Sequence, residues 1–174
     1  MKRLLHDTRG VSALEFAFVA PVMITVLLGM IEVNNMTTSY GKAVSAAQTV
    51  ADLTSQSSSL TTAQISSIVV AAQRTLDPLV STAANLSVDI SSIAFNAAGA
   101  PYQAWTYHWG KTSTPPLPSL ANGLGAANES VIVTQLSYTC TPLIHELVPQ
   151  ATFSQTAIAR PRTTLKIALN GVTG

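Results

Sequence analysis

From Val11 to Ile31 the chain is one apolar run in which Glu15 is the only charged residue. About twenty apolar residues make a helix of roughly 30 Å, enough to cross a bilayer. The helical spacing continues past the run. Met36, Tyr40, Val44, Ala47, Val50 and Ala51 recur at three- and four-residue steps, with Asn, Thr, Ser, Lys42 and Asp52 between them. The pattern predicts one helix from about Ser12 to Leu53, its first half in lipid and its second half amphipathic. Pro21 falls inside the span, where membrane helices tolerate it, and Gly41 weakens the second half without forbidding it. Ser55 to Ser59 is a polar break. Thr61-Thr62-Ala63-Gln64 then fits a capping box, with the Thr61 hydroxyl and Gln64 amide meeting orphan backbone donors. The helix it opens carries Ile65, Ile68, Val69, Ala72 and Leu76 on one stripe, and Asp77-Pro78 ends it.

After Pro78 the period becomes two. Leu86, Val88 and Ile90 alternate with Ser87 and Asp89, and the phase slips at Ser91-Ser92 before resuming at Ile93 and Phe95, which predicts a β-bulge. Asn96 to Pro101 reads as a hairpin connection to a strand with Trp105, Tyr107 and Trp109 on one face. Thr112 to Asn128, with Pro115, Pro116, Pro118, Gly123 and Gly125, reads as an exposed loop. Val131 to Cys140 and Phe153 to Ala159 read as further strands joined across Pro142 and Pro149, and Leu165, Ile167 and Leu169 as a last short one. The expected fold class is α+β: a long N-terminal transmembrane helix continuing as an amphipathic helix, a second helix, then an antiparallel β-sheet.

The chain has 174 residues, which leaves room beside one span for a single further domain. Charged residues are 10% of it and the net charge is +1, so there is no basic field for nucleic acid and nucleic-acid binding is not expected. Lys2, Arg3 and Arg9 precede the span, and the first cation after it is Lys42. By the bias of basic residues toward the cytoplasm, the N-terminus stays inside and the remainder lies outside. The apolar run is long for a secretory signal core, and Met30-Ile31-Glu32-Val33 follows it in place of a small-residue cleavage site, so the helix is expected to be retained. Cys140 is alone in the sequence, which excludes an intramolecular disulfide and reads most simply as a small buried hydrophobe.

Catalytic chemistry finds little support. His145-Glu146 begins like a zinc protease motif, but the second histidine would fall at Pro149, and no metal site or cofactor is expected. His108, between Tyr107 and Trp109, reads as a histidine on the exposed face of a strand rather than a ligand. No phosphate-binding loop, Cys/His cluster or nucleophile elbow is present in the sequence. Asn85-Leu86-Ser87 and Asn128-Glu129-Ser130 match the glycosylation triplet, which arises often by chance. Trp105, Tyr107 and Trp109 form either the buried face of a strand, the simpler reading, or a surface for a partner. Ala13, Ala17 and Ala20 offer a narrow face on which another membrane helix could pack closely, or face lipid as ordinary alanines. Glu32 is expected at the membrane–water boundary as a solvated charge. Glu15 is different: a carboxylate inside the apolar run is costly and calls for a partner or a role, unless it snorkels to the headgroups.

The basic leader, Gly10, Glu15 five residues later and Phe16 after it together resemble a type IV prepilin processing site. In such sites a membrane peptidase cuts after the glycine, here before Val11. The closer resemblance is to the TadE-like family, pilin-like components of Flp (tight adherence) pilus systems. The matching features are Arg9-Gly10, Ser12-Ala13, Glu15-Phe16, Pro21 in the span and Glu32 at its outer end. Ala159-Arg160-Pro161-Arg162 also resembles the closing strand often seen in the family. This resemblance implies a cytoplasmic leader at 1–10, a transmembrane helix at 11–33 and a periplasmic pilin-like domain at 34–174. It implies a structural protein of the bacterial inner membrane, with no enzymatic activity. Its partners would be other pilin-like subunits, pilus assembly proteins and a prepilin peptidase. A membrane-anchored periplasmic binding module and a type II secretion pseudopilin are the alternative readings.

Overall fold

The computed structural model describes residues 10–142, 144 and 148–173. The leader cations Lys2, Arg3 and Arg9 and the His145-Glu146 pair lie outside these residues. Helix α1 runs unbroken from Val11 to Ser55, through both Pro21 and Gly41. The Thr25 hydroxyl donates to the Pro21 carbonyl at 2.8 Å. Helix α2, Thr62–Leu76, opens on the expected capping box: the Gln64 N–H donates to the Thr61 hydroxyl, and the Gln64 side-chain oxygen accepts the Thr61 N–H at 2.8 Å. Its buried residues are Ile65, Ile68, Val69, Ala72 and Leu76, the stripe read from the sequence.

A two-residue strand β1, Ser59–Leu60, separates the helices. Four strands follow: β2, Leu86–Phe95; β3, Pro101–Gly110; β4, Ser130–Cys140; and β5, Ala151–Ala159. They form an antiparallel sheet in the order β3-β2-β4-β5. The slip at Ser91-Ser92 appears as a register shift between Ser92 and Ile93 against β3, while the pairing of β2 with β4 runs through it without interruption. Gly110 closes the β2–β3 pair at φ +95°, and a Cβ there would lie 2.0 Å from the Leu86 carbonyl oxygen, so the position admits no side chain. The fold class is thus α+β, as the periodicities predicted.

One face of the sheet packs on both helices. Leu86, Val88, Ile90, Ile132 and Leu136 meet Ala43, Ala46, Ala47 and Val50 of α1 and the apolar stripe of α2. Trp105 is buried in this core and donates its ring N–H to the Ile167 carbonyl at 2.7 Å; Tyr107 and Trp109 pack beside it, half-buried. The aromatic row is therefore mainly a core face.

Several expectations need correction. The seam of α1 runs through Ser39, Ala43, Ala46, Ala47, Val50, Ala51 and Thr54: Ala47, Val50 and Ala51 are buried as read, but Ser39, Ala43 and Ala46 take the buried positions expected of Met36, Tyr40 and Val44. Tyr40 is 48% exposed, with its ring edge-on to Phe153. Small side chains win the buried face because the helix backbone lies close to the sheet, where a tyrosine would not fit. The 112–128 segment is not simply exposed: it makes a 3-10 turn at Pro118–Ala121, buries Ala121, and covers Ile93, Phe95, Val131 and Val133 on the outer face of the sheet. Near the end only Ala168–Leu169 forms a strand, β6, which pairs in parallel with β1. Strand β5 stops at Ala159, so Arg160-Pro161-Arg162 is outside the closing strand.

Candidate functional site: an exposed apolar span and its junction with the domain

Gly10 immediately precedes α1 and provides no side-chain cap. Val11 and Glu15, four residues apart, lie on the same helix face. Both are exposed, as are Phe16, Ala13 and Ala17, and Ala20 is half-exposed. Val11, Leu14, Phe18, Val22, Leu27 and Met30 are each at least half uncovered. Exposing such a side chain to water instead of burying it forgoes about 1.5–3 kcal/mol. A continuous apolar surface of this extent marks a segment made for lipid or for other helices. Among the described residues, α1 is the one helix long and apolar enough to cross a membrane. Among the described residues, none of Gly10, Val11, Glu15 and Phe16 is brought against another part of the chain.

Going along α1 from Val11, the first buried residue is Glu32. This corrects the expectation of a solvated boundary charge. Glu32 is 2% exposed, and its Oε1 accepts the Ile144 N–H at 3.0 Å. Ile144 comes from beyond the end of β4, so this is a long-range contact that no local pattern announces. One turn and three residues further on, the Ser39 hydroxyl donates to the Asn35 carbonyl and lies 3.6 Å from Cys140 Sγ. Cys140 is buried, as read. A cavity of about 450 Å³ opens at this junction, lined by Glu32, Asn35, Ser39, Asn85, Tyr138 and Cys140 among others. The Tyr138 hydroxyl donates to the Val80 carbonyl at 3.2 Å. Burial pushes its phenol pKa up from the ordinary tyrosine value, and the neighbouring Cys140 adds to the shift.

A second polar cluster lies on the far face of the sheet. Asp89 is fully buried; its Oδ1 meets His108 Nδ1 at 2.7 Å, and its Oδ2 accepts the Ser113 hydroxyl. Ser, His and Asp are the residue types of a hydrolase triad, but the arrangement differs from one. There the imidazole stands between the two, with the serine on Nε2; here Ser113 Oγ is 3.2 Å from Nδ1, the nitrogen that faces the carboxylate. The carboxylate instead ties the segment after β3 to the sheet. His108 is thus a satisfied strand histidine. Asp89 was missed from sequence because it occupies an ordinary polar position in an alternating strand.

The apolar span, Glu15 near its start and the small-residue seam beyond Glu32 define a helix of distinct type, and comparison with protein families agrees. The model of the TadE-like protein family matches residues 10–52. Over residues 10–52 the chain is similar to the TadE-like family. The match begins at Gly10, takes in Glu15, Pro21 and Glu32, and ends at Asp52, three residues before the helix does. The sheet and α2 lie beyond it. Neither curated proteins nor solved structures give a match to the chain.

Proposed function

We propose that this protein is a structural, non-enzymatic component of tight adherence pilus assembly, a minor pilin-like subunit held in the bacterial inner membrane by the first half of α1. The TadE-like match over the whole exposed span carries this reading. The helix would pack against the spans of other pilin-like subunits, with Ala13, Ala17 and Ala20 as the face of closest approach. The sheet domain would stand in the periplasm and meet assembly proteins there.

Glu15 is the residue assigned to assembly. Cleavage after Gly10 by a prepilin peptidase would leave a free amine on Val11, about one helical turn from Glu15 along the axis. An amine on one subunit and a carboxylate on the next relieve each other's desolvation in lipid. Glu15→Ala should leave the protein inserted and stable, since loss of a charge favours insertion, but impair its incorporation into the pilus machinery. Wild-type piliation with Glu15→Ala would reduce Glu15 to a snorkelling residue and remove the assembly role. Sequencing the N-terminus of the membrane-extracted protein tests processing: a start at Val11 supports it, and an intact leader excludes it.

A further inference from the structure

We propose that the cavity behind Glu32 binds a primary ammonium group, supplied by the headgroup of phosphatidylethanolamine where α1 leaves the bilayer; the inference rests on the span lying in lipid. Every described residue of α1 before Glu32 is exposed or half-exposed, and Met30, Ile31 and Val33 around it still present apolar side chains outward. Glu32 therefore marks the level at which lipid gives way to protein cover, which is the level of the headgroups. What the domain covers first is a carboxylate.

That carboxylate is under-compensated. Its one hydrogen bond among the described residues comes from a neutral backbone N–H, that of Ile144, whereas an ionised carboxylate offers about four acceptor sites. A buried charge with so few partners is unfavourable unless a counter-charge reaches it. The described residues lining the cavity include no Lys, Arg or His. Three of the lining donors are turned elsewhere. Ser39 donates to the Asn35 carbonyl, while Tyr138 and Asn85 both donate to the Val80 carbonyl. The Asn35 side-chain amide makes no hydrogen bond among the described residues: its oxygen is open to an N–H donor, and its N–H2 is neutral and supplies no counter-charge to Glu32.

The ligand class follows from these groups. One carboxylate with neutral oxygens falls short of the six to eight oxygen ligands that calcium takes. A primary ammonium carries one charge and three N–H donors, which suits one carboxylate and an amide oxygen. A volume of about 450 Å³ admits a phosphoethanolamine group and lies within the range of small-molecule sites. A soluble amine has the same chemistry. The lipid is favoured because it is held at high local concentration at the cavity's own depth.

The test uses the full-length protein in nanodiscs of equal anionic lipid content, made with phosphatidylethanolamine or with phosphatidylcholine, whose ammonium has no N–H. Native mass spectrometry of the released protein reads the lipids retained. Phosphatidylethanolamine should be enriched roughly tenfold over phosphatidylcholine, the scale of one charge-assisted hydrogen bond. Glu32→Gln and, independently, Asn35→Ala should reduce the enrichment, and Glu129→Gln, outside the cavity lining, should leave it unchanged. Equal retention of the two lipids by the wild-type protein overturns the proposal without any variant. If millimolar ethanolamine displaces the bound phosphatidylethanolamine completely, the lipid source is overturned and the ammonium site stands. Carbonate extraction is run in parallel. Release of the wild-type protein from the membrane would fail the membrane reading itself, an outcome distinct from loss of lipid preference in an inserted protein.

Discussion

Arg162 closes the fold on Asp52: its Nη2 donates to Asp52 Oδ1 at 2.8 Å across 110 residues of chain, and its backbone N–H donates to the Ser55 carbonyl at 2.9 Å. The C-terminal segment is thereby fastened to the last turn of α1 by one side-chain and one main-chain bond. Both side chains are more than half exposed, so solvent screens the ion pair and it contributes under about 1 kcal/mol. Arg162→Ala should accordingly lower the thermal midpoint by only a few degrees. Arg162→Pro also removes the N–H, orphaning the Ser55 carbonyl at the end of α1, and should cost about 1–2 kcal/mol more. Thermal melts of the two variants in detergent distinguish the contributions. Equal losses would mean the main-chain bond adds nothing.

The seam of α1 should be far less forgiving. Ala43 and Ala46 are fully buried against the sheet and α2. Leucine at either position adds three carbons where the helix backbone is already close to the strands. Overpacking of this kind typically costs about 1–3 kcal/mol. Ala46→Leu is expected to destabilise by at least that much, whereas Tyr40→Leu, on the half-exposed side, should cost less. A denaturant midpoint unchanged by Ala46→Leu would show that the seam has room.

How much of this was legible in the sequence depended on whether the signal was local. The α2 stripe from Ile65 to Leu76 and its Thr61–Gln64 cap were readable because a 3.6-residue period and a capping box lie within one short window. The bulge at Ser92 was readable because a single-residue slip breaks an alternation visible within one strand. The burial of Glu32 was not, since it depends on Ile144 arriving from 112 residues away. The first half of the α1 seam was misplaced for a related reason, whereas Ala47, Val50 and Ala51 are buried as read. Hydrophobicity favoured Tyr40 and Val44, while the close approach of helix to sheet favoured Ser39 and Ala43, and only the tertiary packing decides between them. The pairing of β1 with β6 was invisible because two-residue strands have no period. At the candidate site, Gly10, Glu15 and Glu32 stood out by charge and spacing, but the polar cavity behind Glu32 is assembled from α1, the 78–85 segment and the end of β4.

Tyr138 gives a pH dependence of defined sign. Its folded-state pKa lies above that of the unfolded chain, with burial the main cause. Below the ordinary value near 10 both states hold the proton and the group contributes no slope. Above it the unfolded chain releases the proton while the folded protein keeps it, so stability falls as pH rises, until the folded-state pKa is passed. Urea melts between pH 7 and 11 should therefore show a loss that begins near pH 10. Tyr138→Phe should remove part of that alkaline slope, while losing about 1 kcal/mol at neutral pH with the hydrogen bond to Val80. An alkaline slope identical in Tyr138→Phe would assign the effect to the other tyrosines and lysines.

The orientation of the span is the last expectation, and it rests on cations alone. Lys2, Arg3 and Arg9 flank one end of the apolar run, and no cation follows the other end until Lys42. Acidic residues bear little on orientation, so Glu15 and Glu32, one near each end, do not offset the bias. The N-terminus should therefore remain in the cytoplasm, with the sheet domain across the membrane. Cys140 and the Glu32 cavity would then face the periplasm, and the headgroups at that cavity would be those of the outer leaflet. A reporter that works only in the periplasm, fused after Gly174, should be active. Replacing Lys2, Arg3 and Arg9 by Gln should lower that activity by inverting part of the population. An inactive fusion whose product is intact and membrane-bound would reverse the orientation, and with it place the domain among cytoplasmic partners.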